Sequence, residues 1–225
     1  AAGIPWFVAL FGRDSVITAM EAMLLDRDAA LDTAQLLADL QGTKTDPSVS
    51  EEPGKILHEV RFGERSLPHS LLSRYYGAVD TTPLWCMLLD KLHRWGADSA
   101  RLAAMLPNLR AAVGWIRHGL EAGEGFLTYR GDVTRLDNQG WKDSGDSMVD
   151  GRGRQLDQPI AVVEAQGYAV AALRSAARLE IELGDTAKAT GLRLEADELQ
   201  QRIDDRFWRD DLGTFALAIG NDGCV

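Results

Sequence analysis

QPIAVVEAQGYAVAALRSAARLEIEL, Gln158 to Leu183, runs on into GDTAKATGLRLEADELQQRIDDRFW, Gly184 to Trp208, and the two read as long helices folded back on each other. Gly184 ends the first and Asp185 opens the second, so the turn between them is only Leu183 to Thr186. Earlier in the chain, Val16, Ile17, Met20, Met23 and Leu24 fall on one stripe of a helix from Arg13 to Asp26. A second helix, capped by Asp28 and ended by Gly42, turns Leu31, Ala34, Leu36, Leu37 and Leu40 inward. A third starts at Thr81 or Thr82, with Pro83 in its first turn where a missing N–H costs little, and runs to Trp95. The fourth is interrupted, Ser99 to Met105 and Pro107 to Glu121. Phe126 to Tyr129 reads as a short strand, and GTFALAIG near the C-terminus is strand-like.

Six helices in three pairs with almost no strand predict an all-α architecture in one domain, residues 1–225. The turns inside the pairs are short and bland. The loops before helices one, three and five are long and rich in Trp, Gly, Asp and Arg, and Thr43 to Val79 carries Pro47, Pro53, Gly54, Gly63, Pro68 and Gly77. Alternating long and short connections fit an α-hairpin toroid, with inner and outer helices alternating and the long loops gathered at one mouth.

The longest-range constraint on function is charge. A net charge of -10 and a pI near 4.9 argue against nucleic acid and anionic membranes as partners, because both need a basic face. A neutral carbohydrate meets no such objection. Cys86 and Cys224 form no disulfide framework and fit a reducing, cytoplasmic setting. His58, His69, His93 and His118 are scattered without ligand spacing, so neither a metal nor another cofactor is predicted. The N-terminal AAGIPWFVALFGRD lacks the basic region of a signal peptide, and no run is long enough to span a bilayer. Both ends read as cut points in a longer protein.

Chemistry concentrates in QGWKDSGDSMVDG, Gln139 to Gly151, which places Asp143, Asp146 and Asp150 beside Trp141 in one glycine-punctuated loop. Such a loop is either a ligand site or an acidic surface turn with an aromatic anchor.

Five motifs follow one another in order: FGRDS (Phe11 to Ser15) with upstream PWF (Pro5 to Phe7), PGKILHEVRFGE (Pro53 to Glu64), YYGAVDTTPLW (Tyr75 to Trp85), GWKDSGDS (Gly140 to Ser147) and PIAVVEAQGYAVAAL (Pro159 to Leu173). Together they resemble the amylo-α-1,6-glucosidase, or glycogen-debranching-like, glycoside hydrolases, which are related to glucoamylase, trehalase and mannosylglycerate hydrolase. The resemblance implies an (α/α)6 barrel of twelve helices, of which this chain supplies about half. The exposed helix faces would then be covered by the rest of the barrel or by another copy. It also implies inverting hydrolysis of an α-glucosidic bond in an oligo- or polysaccharide. Inversion needs one carboxylic acid to protonate the leaving oxygen and one carboxylate to activate water, roughly 6.5–9.5 Å apart.

By resemblance the acid is Asp143, with Asp146 as the rival, and the base is a Glu beyond Val225. Trp141 beside the acid would exclude water and raise its pKa, with Lys142 pointing away. Arg13 and Asp14 match the pair that grips the non-reducing sugar, although Asp14 also suits a helix cap. Glu59 and Arg61 share a face of an extended segment and look like pocket wall by resemblance, or simply like an ion pair. Asp80 either binds substrate or caps helix three. Glu164 either lines the sugar pocket or serves the helix dipole. Trp6 either stacks on a sugar or joins the core. Of Tyr75, Tyr76 and Trp85, the Trp is expected to pack and one Tyr to sit on the rim. Trehalase-like or mannosylglycerate-hydrolase-like specificity, or a non-catalytic carbohydrate-binding helical domain, are the alternatives.

Overall fold

The computed structural model describes residues 9–61, 74–131 and 136–225. In chain order, strand β1 (Leu10–Phe11) runs into α1 (Gly12–Ala22), followed by α2 (Arg27–Asp39), a 3-10 turn at Pro47–Val49, β2 (Glu59–Val60) and β3 (Arg74–Tyr75). Then come α3 (Thr81–Arg94), α4 (Ser99–Ala104), α5 (Leu106–Ala122), β4 (Ala161–Val162), α6 (Val163–Leu183) and α7 (Thr186–Phe207). Four short strands close the chain: β5 (Trp208–Arg209), β6 (Thr214–Phe215), β7 (Ala218–Gly220) and β8 (Gly223–Cys224).

Helices α1, α3 and α6 pack side by side as one row, and α2, α5 and α7 pack behind them as a second. This is the alternation of inner and outer helices that the loop lengths imply. The centre of the inner row is α3, whose Leu84, Trp85, Cys86, Leu88, Leu89 and Leu92 are all buried. Trp85 reaches across to α2, its indole N–H donating to the Ala34 carbonyl at 3.0 Å. Helix α6 presents Ala165, Ala169, Ala172, Ala176 and Ala177 among its buried residues, small side chains that let neighbouring helices approach closely. Within the inner row, Arg178 of α6 forks onto buried Asp90 of α3 at 2.9 and 2.7 Å, and across the rows Arg110 of α5 forks onto Glu180 of α6 at 2.7 and 2.9 Å.

The fold is not strictly all-α. Strands β1, β2 and β3 form one small antiparallel sheet, β4, β7 and β8 a second, and β5 and β6 a hairpin. Each inner helix is preceded by one of these strands, β1 before α1, β3 before α3 and β4 before α6. The first sheet therefore ties the starts of α1 and α3 together, with Phe11 opposite Glu59 and Glu59 opposite Tyr75. Phe126 to Tyr129 makes only a single bridge, Tyr129 to Ile160, which fastens the stretch before the aspartate loop to the approach of α6.

Other boundaries shift for local reasons. Asp26, rather than Asp28, caps α2 by accepting from the Ala29 N–H at 2.9 Å. Helix α6 starts at Val163, five residues later than expected, because Ala161 and Val162 pair with β7 instead. Ile17, Leu24 and Leu36 lie exposed although their spacing puts them on apolar stripes. Tyr75 and Tyr76 are both buried, so neither forms a rim. No helix is long and apolar enough to cross a membrane among the described residues.

Candidate active site

Arg13 stands in the first turn of α1, and the glycine before it is required by packing. A Cβ on Gly12 would lie 1.9 Å from the Leu57 carbonyl oxygen, while the Gly12 N–H donates to the His58 carbonyl at 2.7 Å. That close approach draws α1 against the β2 strand and fixes where the arginine emerges. The side chain is nearly buried. Its Nη1 donates to both carboxylate oxygens of Asp80, at 2.9 and 3.2 Å, leaving Nη2 3.8 Å from Asp143 Oδ2.

Asp80 is fully buried at the N-cap of α3, yet its side chain makes no cap bond to the helix. Burial pushes its carboxyl above the ordinary value, opposed by the Arg13 guanidinium. Its structural work is to aim the guanidinium, a reading that substrate contact and helix capping both omit.

The loop carrying Asp143 is pinned from two sides. The Val79 N–H donates to the Gln139 carbonyl at 2.9 Å, which ties the loop to the start of α3. Asn138, held by the Tyr129 hydroxyl at 2.7 Å, donates to the Ser144 carbonyl at 2.7 Å and to Ser147 Oγ at 3.2 Å, and Ser147 Oγ donates to the Lys142 carbonyl at 2.7 Å. Within this frame the Asp143 side chain is 46% exposed. Asp146 faces solvent without a hydrogen bond among the described residues. Asp150 is fully used by the turn after it, accepting from the Arg152 and Arg154 backbone and from the Arg154 side chain.

Trp141 is 56% exposed, with Lys142 Nζ lying 5.6 Å over its ring. The ring therefore does not wall Asp143 off from water, and Lys142 lies over this exposed indole. Asp14 is exposed in the first turn of α1 and makes no cap bond. Glu59 is buried in β2 and ion-paired with Arg61, so this pair is more enclosed than a solvated loop contact. Glu164, in the first turn of α6, is half-buried, and its Oε1 is buried without a hydrogen-bond partner among the described residues. Trp6 lies outside the described residues.

The structure thus brings Arg13, Asp80 and Asp143 together from three distant segments, and Glu59 and Arg61 lie on the sheet that α1 springs from. Two further groups, without a motif of their own in the sequence, feel the charge of Arg13. His58 is buried between the Phe11 and Tyr75 rings, and burial next to Arg13 and Lys55 pushes its pKa down to about 4. Tyr168 lies one turn beyond Glu164, and the four-residue spacing on a helix was the signal available for it. A cavity of about 400 Å³ borders the loop, with Val79, Tyr129 and Gln139 in its lining. One of about 470 Å³ sits toward the C-terminal ends of α1 and α3, and one of about 360 Å³ between α5, α6 and α7. No group of three or more His, Cys, Asp or Glu suited to a metal occurs among the described residues.

No protein family matches the chain, and no curated protein matches it in sequence. Among solved structures, the fold is that of a segment of a glycoside hydrolase, spanning 96% of this chain and 19% of the other. That structure is the GH78 family rhamnosidase of Bacillus sp. GL1, with a TM-score of 0.61 and 18% identity. The chain thus spans about a fifth of the rhamnosidase's length.

Proposed function

We propose that this chain carries the sugar-gripping and acid-donating part of an inverting glycoside hydrolase, acting on α-glucosidic linkages in the manner of an amylo-α-1,6-glucosidase. The observation that carries the reading is the meeting of Arg13, Asp80 and Asp143 at the starts of the inner helices. Asp143 protonates the departing glycosidic oxygen, and Asp146 is the alternative donor. Arg13, aimed by Asp80, donates to sugar hydroxyls, with Asp14, Glu59, Arg61, Glu164, Trp141 and Trp6 completing the contacts. In the same reading, the remaining hairpins of a barrel or a second copy cover the exposed faces of the inner row.

A second reading, carbohydrate binding without turnover, is favoured by the exposed face of Trp141. The rhamnosidase likeness adds α-rhamnosides to the substrates worth testing.

Turnover of an α-1,6-branched glucan, trehalose, mannosylglycerate and an aryl α-rhamnoside, followed by proton NMR of the released sugar, separates these. The account expects glucose from the branched glucan, released first as the β-anomer. Binding of glucan with no turnover would favour the second reading, and release of the α-anomer would contradict inversion.

A further inference from the structure

The part of the site contributed by α6 is chemically unfinished. Glu164 Oε1 is buried and has no hydrogen-bond partner among the described residues, at a cost that a ligand donor would remove. Four residues on, and so on the same helical face, Tyr168 packs the body of its ring against the core while the residue stays only partly buried. Its hydroxyl has no hydrogen-bond partner among the described residues. Gly167, between the two in sequence, lines the cavity of about 470 Å³ beside α3, and a Cβ there would meet nothing within 4 Å. Helix α6 packs on α3, the helix at whose N-cap Asp80 holds Arg13.

We propose that Tyr168 is a specificity-determining residue of the site, its phenolic hydroxyl donating to one hydroxyl oxygen of the sugar whose neighbouring hydroxyl donates to Glu164 Oε1. This rests on the glycosidase reading above. The phenol is suited to the task. Burial, with the charges of Glu164 and Asp80 added and that of Arg13 opposing, holds its pKa above the ordinary value, so it remains a donor at neutral pH. Arg13 supplies donors, Glu164 an acceptor, and Tyr168 a neutral donor, which suits a polyhydroxylated ring better than a single charged group.

The test is binding of methyl α-D-glucopyranoside and its 2-, 3-, 4- and 6-deoxy derivatives, followed by tryptophan fluorescence, in the wild-type chain and in Tyr168→Phe. The substitution keeps the ring that packs on the core, and an unchanged thermal midpoint checks that it folds. Wild type is expected to bind the parent sugar more tightly than one particular deoxy derivative. Tyr168→Phe should bind the parent roughly two- to tenfold more weakly and treat that derivative as it treats the parent. Glu164→Gln should alter discrimination at a different position. An unchanged pattern in Tyr168→Phe overturns the proposal while leaving the glycosidase reading intact. Absence of binding to any of the five sugars in the wild type overturns both.

Discussion

Arg13 and Asp80 illustrate how a buried charge pair is used for aim. Neither group is cheap to bury, and the pair is held because each offsets the other's lost hydration. Asp80→Asn keeps the shape and removes the charge, leaving a guanidinium that is 9% exposed without its counterion. It should destabilise the protein by about 3 kcal/mol in urea unfolding and weaken sugar binding as well. A loss under about 1 kcal/mol would mean that the pair behaves like a surface contact. His58 makes a second residue-scale prediction. Its folded pKa of about 4 lies below the ordinary 6.5, so between those values the unfolded chain binds more protons than the folded one. Stability therefore falls as pH drops through 6.5 and continues to fall until the folded ring titrates near 4, by about 3 kcal/mol in all. The difference between wild type and His58→Asn isolates this from the carboxylates. If the two lose stability in parallel from pH 7 to 4.5, His58 is not held neutral. The roles of single residues were only partly legible in the sequence. Arg13 and Asp143 stand in short motifs, but that Asp80 would hold the arginine depended on a separation of sixty-seven residues.

Elements repeat that lesson at larger size. The helices were readable because a 3.6-residue period extends over many residues and because glycine and aspartate mark their ends. Two-residue strands have no period to read, and β4 exists only because β7, more than fifty residues away, pairs with it. Hence the sequence placed the start of the fifth helix at Gln158, while the structure begins α6 at Val163. Gly12 is the element-scale test. An added methyl would strike the Leu57 carbonyl at 1.9 Å and Thr81 Cγ2 at 2.8 Å, forcing α1 away from both β2 and α3. Gly12→Ala should cost at least about 2 kcal/mol, read from the thermal or urea midpoint, and lower sugar affinity by displacing Arg13. A variant of wild-type stability would show that the junction is not tightly packed.

For the whole molecule, two rows of helices put the starts of α1, α3 and α6 at one end, and three small regions of backbone pairing secure them there. The site is assembled by this arrangement, since no single segment contains more than one of Arg13, Asp80 and Asp143. The acidic surface and the fold likeness at 18% identity leave the substrate to be decided by the site itself. The most direct measurement compares Asp143→Asn with wild type on two substrates, the α-1,6-branched glucan and α-D-glucosyl fluoride, whose leaving group departs without a proton. If Asp143 is the general acid, the variant loses roughly 10²–10⁴ in kcat on the glucan and stays within about tenfold on the fluoride. Equal losses on both substrates, or none on either, would contradict the account.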